Sequence, residues 1–492
     1  MKVNNLVLFV VVLLFTVLIR LMPSLYTNNL FSNDVWPLKR LTEYVLKNPR
    51  VDIYSLSEIY GHHVFWPLSS VESIMYIHVT GMSSDYFFKF AGVTILSIAV
   101  SLSVYLLARR YSYKYRCCLI APLAVSLLPS FTLFTSAYLK EFYGYVLTPI
   151  LLYLAIHESR SRLPILPILF SIALVLSHPL ASAMCIAILC SYLYVNLVDS
   201  LRGREKFKVR SQHIAAILSL AIAYTLYTTY IAEPLIHFSL MDLAILGIYA
   251  IAVYLAYLFL GGVASAPLIA IASLLASISI IYTITAPIDN PLSLFYVIPP
   301  VISIAYRVRE RSLGRIRVAV LLPIAVLFLY ISTYMVEALG IIHRIVNYLM
   351  YAFIPMAIDI ARNGRKVGAA IFLTLVLTTI ICSLASTLNH NPYTFYWRYG
   401  EYDSVFKNFI EAHTLSANIY GDPKYSYMIP KIVGMPIAVV KEFCKLPDFL
   451  VLSMDNLVYG IPITSVDLYK FSCDLFKDRS VVFNVGYLYV LA

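Results

Sequence analysis

The chain has 492 residues, of which 60% are hydrophobic and only 13% charged, with a mean hydropathy of +0.80. Soluble domains carry about a quarter charged residues, so this composition excludes a water-soluble globular protein. It leaves a polytopic α-helical membrane protein. The net charge of +11 raises the question of nucleic acid, but the basic residues sit in short loops between apolar runs, where they report membrane orientation instead.

A crossing needs about 20 apolar residues. On that criterion thirteen transmembrane helices are expected, near 4–22, 86–107, 117–137, 142–157, 163–178, 181–198, 213–231, 240–260, 266–285, 291–306, 318–337, 345–361 and 367–387. The first ends in Arg20-Leu21-Met22-Pro23 without a small-x-small cleavage site, and reads as an uncleaved anchor. With the N-terminus cytoplasmic, the inside loops are 109–116, 157–162, 199–212, 307–317 and 362–366, all rich in Lys and Arg. The short outside loops hold only Lys140 and Arg344. This is the positive-inside pattern. It expects a multi-pass cell-membrane protein whose basic charge needs no nucleic acid.

Residues 23–85 form the first outer loop. Ser32-Asn33-Asp34-Val35-Trp36-Pro37 opens a helix whose apolar residues Val35, Leu38, Leu41 and Val45 recur every three or four positions. An acid at its first turn is kept ionised by the helix dipole, and Lys39 and Arg40 would let the helix lie on a membrane surface. His62 and His63 follow. The run 68–80, interrupted by Glu72 and His78, is short for a span and suits a re-entrant or interfacial helix. Span three emerges at Lys140-Glu141, span five at His178-Pro179, and span eleven before His343-Arg344. Asp34, His62, His63, Lys140, Glu141, His178, His343 and Arg344 therefore share the outer face, where polar groups tend to mark function.

From about residue 388 the apolar runs shorten to strand length, at Ala417–Tyr420, Ile437–Val440, Phe449–Ser453 and Val481–Phe483. Helix-like stretches at 402–412, 424–433 and 466–476 alternate with them, and Asn484-Val485-Gly486 leads into a closing hairpin. The division expected is a transmembrane module, 1–387, and a small extracytoplasmic α/β domain, 388–492. Cys117, Cys118, Cys185, Cys190 and Cys382 lie in spans as packing residues. Cys444 and Cys473 fall in the exported part, where a disulfide between them is expected.

An apolar first span, a long outer loop with an early Asp, many further spans and a C-terminal outer domain resemble the GT-C glycosyltransferases. Asn33-Asp34-Val35-Trp36 is similar to their first acidic motif. Trp66-Pro67 to Thr80-Gly81, Leu176-Ser177-His178-Pro179, Tyr420-Gly421-Asp422 and Gly486-Tyr487 are similar to stretches of archaeal members. Two departures stand out. Protein mannosyltransferases of this class pair two acids where this chain has Asn33-Asp34. Oligosaccharyltransferases read sequons with Trp-Trp-Asp-Tyr-Gly, where this chain has Tyr396-Trp397-Arg398-Tyr399-Gly400.

The resemblance implies transfer of a sugar from a polyprenyl (dolichyl) phosphate donor to a protein, glycan or lipid acceptor at the outer face of the bilayer. Such chemistry needs a carboxylate to take the acceptor's proton and cations for the departing phosphate. Asp34, with Glu141 as its neighbour, suits the first role. Arg344, Lys140 and His343 suit the second, and His178, His62 and His63 are further candidates. A divalent metal, Mg or Mn, would use Asp34 and Glu141. For this chemistry Asp34 and Arg344 are expected to stand a sugar's width apart, without pairing. The competing readings are a non-catalytic membrane scaffold and a lipid or sugar transporter; a transporter would place its acids at the midplane on broken helices.

Overall fold

The computed structural model describes residues 3–260 apart from short stretches at 28, 51, 61–62, 113, 157–163, 205, 208 and 233–238. Beyond these it describes 306, 308, 310–333, 342–363, 366–388, 399, 401–412 and the short C-terminal elements given below. The chain is a polytopic helical membrane protein. Seven helices among the described residues are long and apolar enough to cross a bilayer, and Ile165–Ser177 and Gly368–Ile381 are shorter apolar helices. The expected spans 266–285 and 291–306 lie outside the described residues.

The order begins with α1 (Val3–Thr27), α2 (Val35–Lys47), α3 (Ile53–Tyr60) and α4 (Leu68–Thr80). After α5 (Ser84–Tyr86), a π-helical turn at Phe87–Ala91 leads into α6 (Gly92–Tyr111). Then come α7 (Tyr115–Val125), α8 (Pro129–Phe134), α9 (Lys140–Ile156), α10 (Ile165–Ser177), α11 (Pro179–Leu201), α12 (Ser211–Tyr230) and α13 (Leu240–Leu260). The series continues with α14 (Arg311–Thr333), α15 (Ile342–Asn347), α16 (Met350–Asn363), α17 (Lys366–Leu388), α18 (Glu401–Ala412) and α19 (Pro423–Met428). Within the bundle α11 packs on α14, α10 on α12, α7 on α16 and α6 on α9.

Two spans differ from the sequence expectation. The first is expected to stop at residue 22, ending in Arg20-Leu21-Met22-Pro23. Instead α1 runs through Pro23 to Thr27, and Arg20 is fully buried. The third, expected as one crossing over 117–137, is two short helices. Pro129 explains the break: it opens α8 and holds Leu128 extended, with φ −83° and ψ 113°. The freed carbonyls are recovered by hydroxyls, with Thr132 Oγ1 donating to Ser126 O at 2.7 Å and Thr379 of α17 donating to Leu127 O. Cys190, expected as a packing residue, lies on an exposed surface of its helix, whereas Cys117, Cys118 and Cys185 are buried.

In the outer loop, α2 buries Val35, Trp36, Pro37, Leu38, Leu41 and Thr42 and packs against α4 and α19. Protein therefore covers one face of α2, and the helix does not simply lie on a membrane surface. Lys39 is held by Glu43 and Asp85, each at 3.1 Å. α4 ends at Gly81, whose φ of +69° is the left-handed stop that glycine makes cheaply.

The C-terminal part carries a five-stranded mixed sheet of order β2-β1-β3-β7-β6. Its strands are β1 (Ile419–Gly421), β2 (Ile432–Gly434), β3 (Phe449–Ser453), β6 (Val481–Val485) and β7 (Leu488–Leu491), while β4 (Ile461–Pro462) and β5 (Leu468–Tyr469) pair separately. β1 is parallel to β2 and β3, with Ile419 opposite Ile432 and Phe449. β6 and β7 are antiparallel, Val485 opposite Leu488, with a register shift between Val481 and Phe483. The helix expected over 424–433 stops at Met428 and gives way to β2, and β5 occupies part of the helix expected over 466–476. Apolar runs too short for a full helical period do not separate helix from strand. Ile437–Val440, Cys444 and Cys473 lie outside the described residues.

Candidate functional site

The approach to Asp34 is a sharp turn. Ser32 is buried and has φ 83°, a backbone conformation that non-glycine residues rarely adopt and that tends to accompany function. Trp36 N then donates to Asn33 O at 3.1 Å, starting α2. Asp34 stands at the N-cap position, but its side chain makes no capping bond. Its carboxylate is turned elsewhere.

It meets Arg344. Arg344 Nη2 lies 3.3 Å from Asp34 Oδ2, while Nη1 of the same guanidinium lies 3.8 Å from Glu141 Oε2. The expectation that Asp34 and Arg344 stand apart is thus incorrect: the structure pairs them. The reason is electrostatic. Glu141 is 2% exposed, and a buried carboxylate needs a cation nearby. The guanidinium that serves it has a second edge to offer to Asp34. Phe134 of α8 lies beneath the guanidinium, 5.8 Å from ring centroid to Cζ, and Ser130 Oγ donates to Asn347 Oδ1 at 2.8 Å, tying α8 to the end of α15.

Glu141 also accepts from Tyr145 Oη at 3.0 Å, one helical turn away on α9. Burial pushes the Glu141 carboxyl above its ordinary range, against the opposing pull of Arg344. Lys140 precedes it as the first residue of α9, outside the apolar run 142–157. Lys140 is 8% exposed, and its ammonium makes no hydrogen bond or ion pair within the described residues; Asp34 and Arg344 are its charged neighbours. Burial brings its pKa down to about 7.

The C-terminal part reaches over this cluster. The Tyr399 hydroxyl lies 2.6 Å from Asn33 Oδ1 and 2.9 Å from Lys424 O, and its ring meets Trp36 edge-on at 5.4 Å. Beneath it Lys424 Nζ lies 3.7 Å from the buried Asp403. Tyr427 on α19 is within electrostatic reach of both Asp34 and Arg344. On the other side Tyr138 Oη donates to Ser69 O and Glu72 Oε2, at 2.9 and 3.1 Å, and contacts Tyr143 Oη at 2.7 Å.

Of the residues singled out from sequence, Asp34, Lys140, Glu141 and Arg344 come together. His178 is buried at the α10–α11 corner and His63 in the turn before α4; the charged groups acting on Arg344 are Glu141 and Asp34. The backbone of His343 belongs to α15, but its side chain is outside the description, as is the whole of His62. Sequence reasoning missed Tyr145, Tyr399 and Tyr427. Tyr145 carries a signal in its four-residue spacing from Glu141, and Tyr399 stands in the stretch Tyr396-Trp397-Arg398-Tyr399-Gly400 compared above with Trp-Trp-Asp-Tyr-Gly. No group of three His, Cys, Asp or Glu able to hold a metal occurs among the described residues. Asp34 and Glu141 both serve one guanidinium beside Lys140, an arrangement that fits a divalent cation poorly.

Helices of membrane length and a charged cluster gathered at one end of them define a polytopic membrane protein with a polar site. No family model matches the chain, and no curated protein matches it. Among solved structures, ArnT from Cupriavidus metallidurans in the apo state is similar over 98% of this chain and 97% of its own, at 12% identity and a TM-score of 0.37.

Proposed function

We propose that the chain is a membrane glycosyltransferase of the GT-C type, moving a sugar from a polyprenyl-phosphate donor to a hydroxyl acceptor at the outer face of the membrane. The observation that carries this reading is the convergence of Asp34, Lys140, Glu141 and Arg344 from three distant parts of the chain, with the buried Lys140 amine unpaired among the described residues. In the transfer, the acceptor oxygen bonds to the anomeric carbon and gives its proton to Asp34. The bond from that carbon to the phosphate oxygen breaks, and the electron pair leaves on the lipid phosphate. Arg344 and Lys140 receive that charge, which grows in the transition state.

The closed Asp34–Arg344 pair makes the sequence of events specific. A donor phosphate competes with Asp34 for the guanidinium, so donor arrival frees the base for the acceptor while Glu141 keeps Arg344 in place. Asp34→Asn keeps the shape and removes the charge. It is expected to lower transfer by about 10²–10⁴-fold with an unchanged melting profile, measured with purified protein and a radiolabelled lipid-phosphate sugar. Full activity of that variant would overturn the assignment. Cysteine labelling in whole cells tests the side: a Cys at Tyr402 is expected to react with an impermeant reagent and one at Phe207 is not. The reverse pattern removes the outer-face site.

A further inference from the structure

A cavity of about 100 Å³ opens at the other end of α9, bounded by Tyr192, Asn196, Lys206, Arg210, His213 and Arg315 along with Ala155 and Ile156. Lys140 and Glu141 begin α9 and Ile156 ends it, so 17 residues at 1.5 Å each put roughly 25 Å between this cavity and the Asp34 cluster. It is a separate place.

Its walls are cationic. Lys206, Arg210 and Arg315 line it, and no carboxylate is found among its described lining residues. Asp199, a buried acid, is already engaged by Arg204 at 3.3 Å and Arg315 at 3.5 Å. Arg315 also donates to Asn196 Oδ1 at 3.2 Å, which fixes its direction. His213 is buried, stacks on Tyr192 and uses Nε2 on Leu189 O at 3.0 Å. Arg210 and His213 flank the first turn of the 20-residue α12, whose positive dipole end adds to the same field. The nearby Tyr111 hydroxyl is buried with no hydrogen-bond partner among the described residues, and Tyr192, Arg110, Arg210 and Arg315 are its electrostatic neighbours. Basic residues that serve only to orient a span point their charges out to water and headgroups. Here two arginines, a lysine and a histidine instead surround one hole.

We propose that this cavity is an anion site for a phosphate group. Its volume of about 100 Å³ is enough to admit a phosphate group. A phosphate there can be inorganic or the headgroup of an anionic lipid in the leaflet at that face. Arg210 and Arg315 grip it with their guanidinium N–H groups, and Lys206 covers the mouth.

The test uses the full chain purified in a neutral detergent, as wild type, as the Arg210→Gln/Lys206→Gln double variant, as Arg210→Lys and as Lys114→Gln, which removes an exposed cation outside the cavity. Thermal unfolding is followed against sodium phosphate at fixed ionic strength, and native mass spectrometry against phosphatidylglycerol and phosphatidylcholine. Two results support the site. Protection by phosphate that the double variant needs at least ten-fold more ligand to reach assigns it to a soluble anion. Retention of phosphatidylglycerol over phosphatidylcholine, at least ten-fold weaker in the double variant, assigns it to a lipid headgroup. In both, Arg210→Lys and Lys114→Gln bind within about three-fold of wild type. Equal binding of phosphate and of phosphatidylglycerol by wild type and a folded double variant would overturn the proposal. So would failure of wild type to bind either one. If the double variant does not fold, Arg210→Gln alone is compared with Arg210→Lys, and equal binding by those two overturns the proposal as well.

Discussion

Two arginines, one from α1 and one from α15, pack against the same short helix α8 in opposite circumstances. Arg20 and Arg344 each place a guanidinium over a phenyl ring of α8, Phe131 at 5.5 Å and Phe134 at 5.8 Å. Arg20 is sealed, and the hydrogen bonds found for it go to neutral oxygens: Thr135 Oγ1 at 2.8 Å, Thr16 O at 2.8 Å and Ser126 Oγ at 3.0 Å. Arg344 faces two carboxylates, and its side chain is 29% exposed. A cation closed in by fixed neutral dipoles has no route to a new partner, so Arg20 pins α1 to the broken third span. A cation between acids at an opening can exchange one of them for an incoming anion. Burial separates the pin from the site; charge alone does not.

The comparison is broken most severely by removing each guanidinium in turn. Arg344→Gln is expected to lower transfer at least 100-fold, chiefly through a raised donor KM, with a smaller loss of stability than at Arg20 because the buried Glu141 can take up a proton when its cation is removed. Steady-state kinetics beside a thermal melt show whether the two effects separate. Arg20→Met should do the reverse, lowering stability by about 2–4 kcal/mol because Thr135 and Ser126 lose a buried partner, with activity per folded molecule preserved. If Arg20→Met leaves stability intact but abolishes transfer, the assignment of roles is inverted.

A subtler effect comes from Lys140. Its amine, drawn down to about 7 by burial, is charged below that pH and neutral above it. Donor binding should therefore weaken as pH rises from 6 to 8, by up to about ten-fold, the ratio of protonated fractions for a group titrating at 7. Lys140→Arg keeps the charge throughout and should flatten the profile; an unchanged slope would remove Lys140 from the donor site. Smallest is the effect at Tyr427. Tyr427→Phe is expected to change transfer only about two- to five-fold, by altering the surroundings of the Asp34–Arg344 pair.

Much of this architecture is legible in the sequence, because a run of twenty apolar residues leaves little choice of structure. The grouping of Asp34, Lys140, Glu141 and Arg344 follows from counting crossings, which assigns each to a face. Counting assigns no contact, however. Asp34 and Arg344 are 310 residues apart, and only the packed structure shows that one guanidinium serves two acids. Arg20 misleads for a related reason. A charge near the end of an apolar run reads as its flank, and nothing local announces that Ser126 and Thr135 will receive it. In the C-terminal part, strands of two to five residues are too short for periodicity, so β2 and β5 were read as helix. The hairpin of β6 and β7 was visible because Gly486 punctuates it.

The Arg20 pin also imposes an order of events on biogenesis. Its acceptor Thr135 lies 115 residues downstream and Ser126 lies 106. At about 5–20 residues per second, a ribosome needs roughly 6–23 s to deliver Thr135 after Arg20 has been made. During that interval α1 is expected in the bilayer with a guanidinium bonded to Thr16 O but lacking its downstream partners, its charge eased by snorkelling towards headgroups. α7 spans 11 residues, roughly 16 Å of helix against a hydrocarbon core of about 30 Å, so it cannot cross the bilayer by itself. Each therefore completes the other. The first helix waits in the membrane, and the broken third span is secured when it docks on Arg20.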